Sequence, residues 1–221
     1  MKGSLYQIVE EIIIDLQQLI SLEYLVTVKE YIADKCDSMR ETLIRDELVS
    51  RKYIDDGFYQ FITCSEVNCL SNICVINGIE IKSNTDIFLV SLSPLVTGLM
   101  RRELKSVMSQ SMENTFMRVN FSNFINYKPQ YSKPGPLYTI VGNNMYLKNL
   151  PTKSTKFISY LGIHQKPSTV CNYKDTDPYP VPSSYKLKLL VKQDILSTFP
   201  GVQTPKEKKE DRNENDEITA S

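Results

Sequence analysis

From Leu5 to Leu48 the large apolar residues recur at intervals of three and four, and the run holds neither proline nor glycine. That spacing gathers them on one face of a helix. Leu5, Ile8, Val9, Ile12, Ile13, Leu16, Leu19 and Ile20 make a first stripe. Leu22, Leu25, Val26, Ile32, Ala33, Cys36, Met39, Leu43, Ile44 and Leu48 make a second. Ser4 with Gln7 three residues later predicts a capping box. Helices are therefore predicted near 4–19 and 22–49, with a break around Ser21. Such stripes need a partner surface to cover them.

After residue 50 the period shortens. Val75-Ile76-Asn77-Gly78-Ile79-Glu80-Ile81 predicts a hairpin, because Asn-Gly supplies the positive φ angles of a type I′ turn. Leu137–Val141, Gly142-Asn143-Asn144 and Met145–Leu147 predict a second hairpin with a three-residue loop. Phe58–Thr63, Asp86–Leu92, Thr115–Phe121 and Thr155–Ile163 are rich in aromatic or β-branched residues and predict further strands. Residues 99–112 fit helix and strand equally, and the prolines of Lys128–Pro136 predict a loop.

The prolines of Asp177-Pro178-Tyr179-Pro180-Val181-Pro182 hold an extended connector. The stripe Leu187, Leu190, Val191, Ile195 and Phe199 then predicts a helix over Ser183–Phe199, stopped by Pro200-Gly201. In the last eighteen residues, Thr204–Ser221, ten are charged and Ile218 is the sole large apolar side chain. That composition does not fold alone, so the tail is predicted to be disordered in a free monomer and ordered in an assembly. The reading is an α+β chain: N-terminal helices at 1–50, a β-rich, sandwich-like domain at 51–178, a Pro-rich connector and helix at 179–201, and a polar interaction tail at 202–221.

Net charge is zero, but its distribution is uneven. Residues 1–50 carry ten acids and five bases, whereas residues 99–174 carry eleven bases and two acids. This asymmetry predicts complementary contact between neighbouring molecules or contact with a polyanion. Arg101, Arg102, Lys105 and Arg118 mark the possible basic contact surface. A pI near 6.6 and the lack of a base-reading motif argue against sequence-specific nucleic-acid recognition. Acids at Glu10, Glu11 and Asp15 interrupt the N-terminal apolar run, which fits neither a signal peptide nor a membrane span. The five cysteines, Cys36, Cys64, Cys69, Cys74 and Cys171, are read as free thiols made in a reducing cytoplasm.

Catalytic and metal chemistry finds little footing. His164 is the sole histidine and reads as structural. Cys64, Cys69 and Cys74 lack the tight paired spacing of zinc sites. Ser183-Ser184-Tyr185-Lys186 matches Ser-x-x-Lys, but its companion motifs are missing and a helix cap explains the serine. Asp55-Asp56-Gly57 reads as a turn, and no glycine-rich phosphate loop is present. No catalytic residue, metal or cofactor is expected.

From Thr115 onward the order of elements resembles a known family. NTFMRVNFSNFINYK precedes a Pro-rich loop, then LYTIVGNNMYLKN, TKFISYLGIHQKPS and DTDPYPVPSSYKLKLLVKQDILSTFPG. This is similar to the ring proteins, or head-to-tail connector (adaptor) proteins, of short-tailed bacteriophages, especially the crAss-like group. Its most specific parts are the hydrophobic-Gly-Asn-Asn-hydrophobic hairpin and the Asp-x-Tyr-Pro-x-Pro segment before a helix. The resemblance implies a non-enzymatic virion protein made in the host bacterial cytoplasm, forming a homo-oligomeric ring of about twelve subunits. It implies contact with the portal and other connector or tail proteins, passive contact with passing double-stranded DNA, and no membrane. The β-rich middle departs from the compact helical adaptors of better-known short-tailed phages. The expected interaction residues are Tyr179, Pro180, Pro182, Leu187, Leu190, Val191, Ile195 and Phe199. The rival reading is a sequence-nonspecific DNA-contacting or DNA-packaging accessory protein.

Overall fold

A computed structural model describes residues 3–17, 28–69, 74–76, 79–81, 87–127, 135–151 and 155–198. The predicted break at Ser21, the first residues of the predicted second helix, most of the 128–136 loop, Phe199 and the C-terminal tail lie outside them. The architecture is α+β, with helices at the N and C ends and a β-rich middle.

Helix α1 spans Leu5–Gln17 and α2 spans Lys29–Arg51. The capping box at the start of α1 is reciprocal: Ser4 N donates to Gln7 Oε1 (3.0 Å) and Gln7 N donates to Ser4 Oγ (3.3 Å). Helix α2 stops without glycine. Lys52 takes a left-handed conformation (φ 57°), and its N–H donates to Leu48 O.

Between the helical ends lies a sandwich. One sheet is antiparallel, in the order β1 (Gln60–Glu66), β10 (Phe157–Gly162), β6 (Leu104–Ser109). The second runs β2 (Asn68–Cys69), β5 (Ile87–Ser91), β9 (Asn144–Lys148), β8 (Leu137–Val141), β7 (Met117–Arg118), with β7 and β8 parallel. Period-two alternation separates its faces. Phe88, Val90, Tyr138, Met145 and Leu147 pack against Ile62, Leu104, Val107, Ile158 and Tyr160 of the first sheet. Ile87, Leu137 and Tyr146 point the other way, onto Phe124 of the short helix α3 (Phe121–Asn126). Strands β3 (Cys74–Ile76) and β4 (Ile79–Ile81) pair as a separate two-stranded sheet in the predicted hairpin register.

Several local expectations change. The β8–β9 loop has two residues, not three, because Asn144 pairs with Val141; Gly142 (φ 60°) supplies the left-handed position. Phe58 sits in a 3-10 turn before β1. The ambiguous 99–112 stretch contains β6. Strand Thr115–Phe121 shrinks to β7, since Asn120 caps α3 by accepting Asn123 N–H on Oδ1 (2.8 Å).

The larger correction concerns the C-terminal helix, α4 (Ser184–Thr198). Leu187, Val191 and Ile195 are fully buried with Ile8, Ile12, Leu16, Ile32, Ile44 and Leu48 of α1 and α2. The stripe was expected to be partly a contact with a neighbour, but the chain's own two amphipathic helices cover Leu187, Val191 and Ile195. Charges follow the same pairing: Lys192 meets Asp15 (2.5 Å), Lys188 meets Glu11, and Lys35 meets Asp194 (2.7 Å). Part of the acidic surplus of residues 1–50 is thus balanced inside the molecule. Helices α1, α2 and α4, with Tyr179 and Val181 of the connector, build one helical layer around one core.

Candidate interaction surface

One buried cation fixes the helical layer to the sandwich. Arg40 of α2 is fully buried. Its Nε donates to Pro180 O (2.7 Å), Nη1 to His164 O (2.7 Å) and Nη2 to Phe58 O (2.9 Å). The guanidinium lies 5.9 Å from the ring centres of both Phe58 and Tyr179. Asp37, one turn earlier, accepts the Tyr179 hydroxyl at 2.5 Å. Burial raises the Asp37 carboxyl above its ordinary value and pushes the Tyr179 phenol well up. Tyr179 N also donates to Gly3 O at the start of α1. The Pro-rich connector is therefore clamped from α1, from α2 and from the end of β10.

The expected interaction residues divide accordingly. Tyr179, Pro180, Leu187, Val191 and Ile195 are buried in the chain's own core. They leave no side-chain surface for a partner, which corrects the expectation. Pro182 and Leu190 are half-buried, and Phe199 lies outside the described residues. Ser183 Oγ accepts Lys186 N–H (3.4 Å), as a helix cap does.

His164 is fully buried, with Nδ1 3.1 Å from Ser93 O. Burial drives it down to about 4, so it stays neutral at pH 7. The buried Cys36 thiol is pushed up to about 12 by burial. The free-thiol expectation fails at two positions: Cys64 in β1 is bonded to Cys171, with Cα atoms 6.2 Å apart. Asn172 Nδ2 donates to Phe61 O (2.9 Å) beside it, so the segment after β10 is tied along the edge of β1.

A cleft of about 330 Å³ lies next to this tie. Its polar groups are largely engaged: Asp56 with Lys105 (2.7 Å), and Asp177 with the Lys174 N–H (2.8 Å). One buried acceptor, Gln60 Oε1, is unmet, which is too little to orient a ligand.

The basic surface residues are held differently from one another. Arg118 is bound to Glu103 (2.6 Å) and to Arg101 O (2.5 Å). Lys105 is paired with Asp56. Arg102 donates to Lys52 O at the end of α2. The Arg101 side chain is exposed and has no partner among the described residues.

These bonds shape the Gly98–Glu103 turn. Gly98 (φ 80°), Met100 (φ 50°) and Arg101 (φ 68°) are all left-handed, and two of them carry side chains. A non-glycine residue there costs about 1–2 kcal/mol, so such backbone persists only where its surroundings over-determine it. Here they do. Leu99 is buried in the core, Arg102 N donates to Leu99 O (2.9 Å), Tyr59 Oη donates to Arg102 O (2.8 Å), and Arg118 holds Arg101 O. The product is a rigid turn that presents Met100, 81% exposed, beside two arginines. Val49 (82% exposed) and Tyr53 flank the end of α2 to which Arg102 is bound. Sequence reasoning named the arginines but missed Met100; its signal was a methionine directly before paired arginines near a glycine.

No family model, curated protein or solved structure matches this chain.

Proposed function

We propose that this chain is a structural virion protein that assembles into a ring joining the portal of a phage capsid to its tail. The observation that carries the reading is the Gly98–Glu103 turn. It holds strained backbone in place to expose an apolar side chain and a positive charge unpaired among the described residues, and Val49 and Tyr53 are exposed about the end of α2 that Arg102 reaches. Exposed apolar groups ringed by charge mark protein contact surfaces. Asp37, Arg40, His164 and Tyr179, whose titration is shifted chiefly by burial, lie in the clamp and the hydrogen bonds around it, where they serve packing. Lys105 and Arg118 are neutralised by acids, which favours a protein surface over a polyanion track for this region. The number of subunits, about twelve, rests on the sequence resemblance.

The test is location. Antibody or gold labelling of an affinity-tagged copy in purified particles should mark the head–tail junction. Label confined to the cell lysate, or to DNA-packaging intermediates absent from finished particles, would support the accessory-protein reading instead.

A further inference from the structure

We propose that the acidic end of the C-terminal tail, Glu210–Ile218, of one copy docks on the Gly98–Glu103 turn of a neighbouring copy. The inference rests on the assembly reading and names the partner of that surface.

The two segments are complementary in order as well as in charge. Glu210–Glu217 holds the acids Glu210, Asp211, Glu214, Asp216 and Glu217 against the single base Arg212, and Ile218 follows directly. The turn carries Met100 directly before Arg101 and Arg102. Each segment thus sets one large apolar side chain against a run of like charge, and the signs are opposite. The turn is already ordered by its hydrogen bonds, so docking requires no ordering on its side. Arg101 has no partner among the described residues to exchange.

The reach of the tail permits docking between copies, and the assembly reading selects it over docking within one copy. Helix α4 delivers the tail near the start of α2, where Lys35 meets Asp194. The turn lies at the other end of α2, where Arg102 reaches Lys52 O. At 1.5 Å per residue these two points are roughly 25 Å apart along the helix. The sixteen residues from Phe199 to Glu214 span roughly 50 Å when extended, enough to reach a neighbouring copy.

The test uses the full chain with a photoreactive phenylalanine analogue at position 218, mixing isotopically heavy and light copies. Crosslinks are expected between heavy and light copies, mapping to Leu99–Glu103. Arg101→Glu is expected to cut their yield about threefold or more, in the range of exposed charge pairs, and Glu217→Lys in the same chain to restore it. Circular dichroism checks that the variants keep the fold. Crosslinks confined to single copies, crosslinks mapping elsewhere, or a yield indifferent to Arg101→Glu overturn the docking claim. If rings are still seen by mass in those cases, only the docking fails. If no ring forms, the assembly reading fails with it.

Discussion

Replacing Arg40 with methionine tests how the two layers are joined. Methionine is close in length and apolar, so the Arg40→Met variant keeps most packing against Phe58 and Tyr179 while deleting every hydrogen bond. The three bonds at 2.7, 2.7 and 2.9 Å are charge-assisted, each contributing roughly 1.5–3 kcal/mol. Against them stands the cost of burying a guanidinium, which lowers the arginine's proton affinity and which methionine removes. What remains is three carbonyls and Asp37 left in a dry core without their cation. Removing one member of such a buried set costs about 3–5 kcal/mol. For a chain of this size each kcal/mol moves the melting midpoint by about 2–4 °C, so a fall of about 10 °C is expected. Urea unfolding at pH 7.5, followed by circular dichroism and tyrosine fluorescence together, reads the change. Arg40→Lys should recover a minor part, since one ammonium cannot span three carbonyls in a fixed fork. A loss below about 1 kcal/mol would mean that Arg40 does not join the layers.

Other outcomes follow from the same structure. His164 titrates near 4 when folded and near 6.5 when unfolded, so its contribution is complete above pH 6.5 and is lost as pH falls towards 4. The total is about 3 kcal/mol, and a His164→Asn variant should show a flatter stability profile across that window; identical slopes would exclude the histidine as the cause. Gly162→Ala would place a Cβ 2.9 Å from Leu104 Cδ2 and 3.0 Å from a Tyr160 ring carbon, so a loss of about 1–3 kcal/mol is expected in thermal unfolding. Reducing Cys64–Cys171, which closes a loop of 107 residues, should lower stability by about 2–4 kcal/mol; unchanged melting in reductant would show that the bond does not constrain the chain. Deleting residues 183–221 should abolish cooperative unfolding, because Leu187, Val191 and Ile195 sit in the shared helical core; a truncated chain with dispersed NMR signals would overturn that assignment.

Much of the fold was legible because its determinants are local. The three-and-four spacing, the Ser4–Gln7 box and the alternation of β5, β8 and β9 each specify an element from neighbouring residues. What the stripe on α4 covers was not legible, since an amphipathic helix specifies that it is covered and not by what. Arg40 could have been found: it sits in the row Ile32, Cys36, Arg40, Ile44, Leu48, spaced by four along the buried face. A charge in such a row has to be paired or clamped. Helix α3 is too short for a periodic signal, and Asn120 was its one cue. The Cys64–Cys171 pair is brought together by the register of β1 and β10 and the segment after them, which no spacing rule encodes. The Gly98–Glu103 turn was hidden for a different reason: non-glycine left-handed residues are imposed by tertiary hydrogen bonds, against local preference.

Native mass spectrometry of the purified full-length chain addresses ring assembly directly. At micromolar concentration and low salt, the proposed function predicts one closed oligomer of about twelve subunits, dissociating as salt rises and screens the exposed charges. A chain that stays monomeric across that range of salt and at tens of micromolar would contradict it.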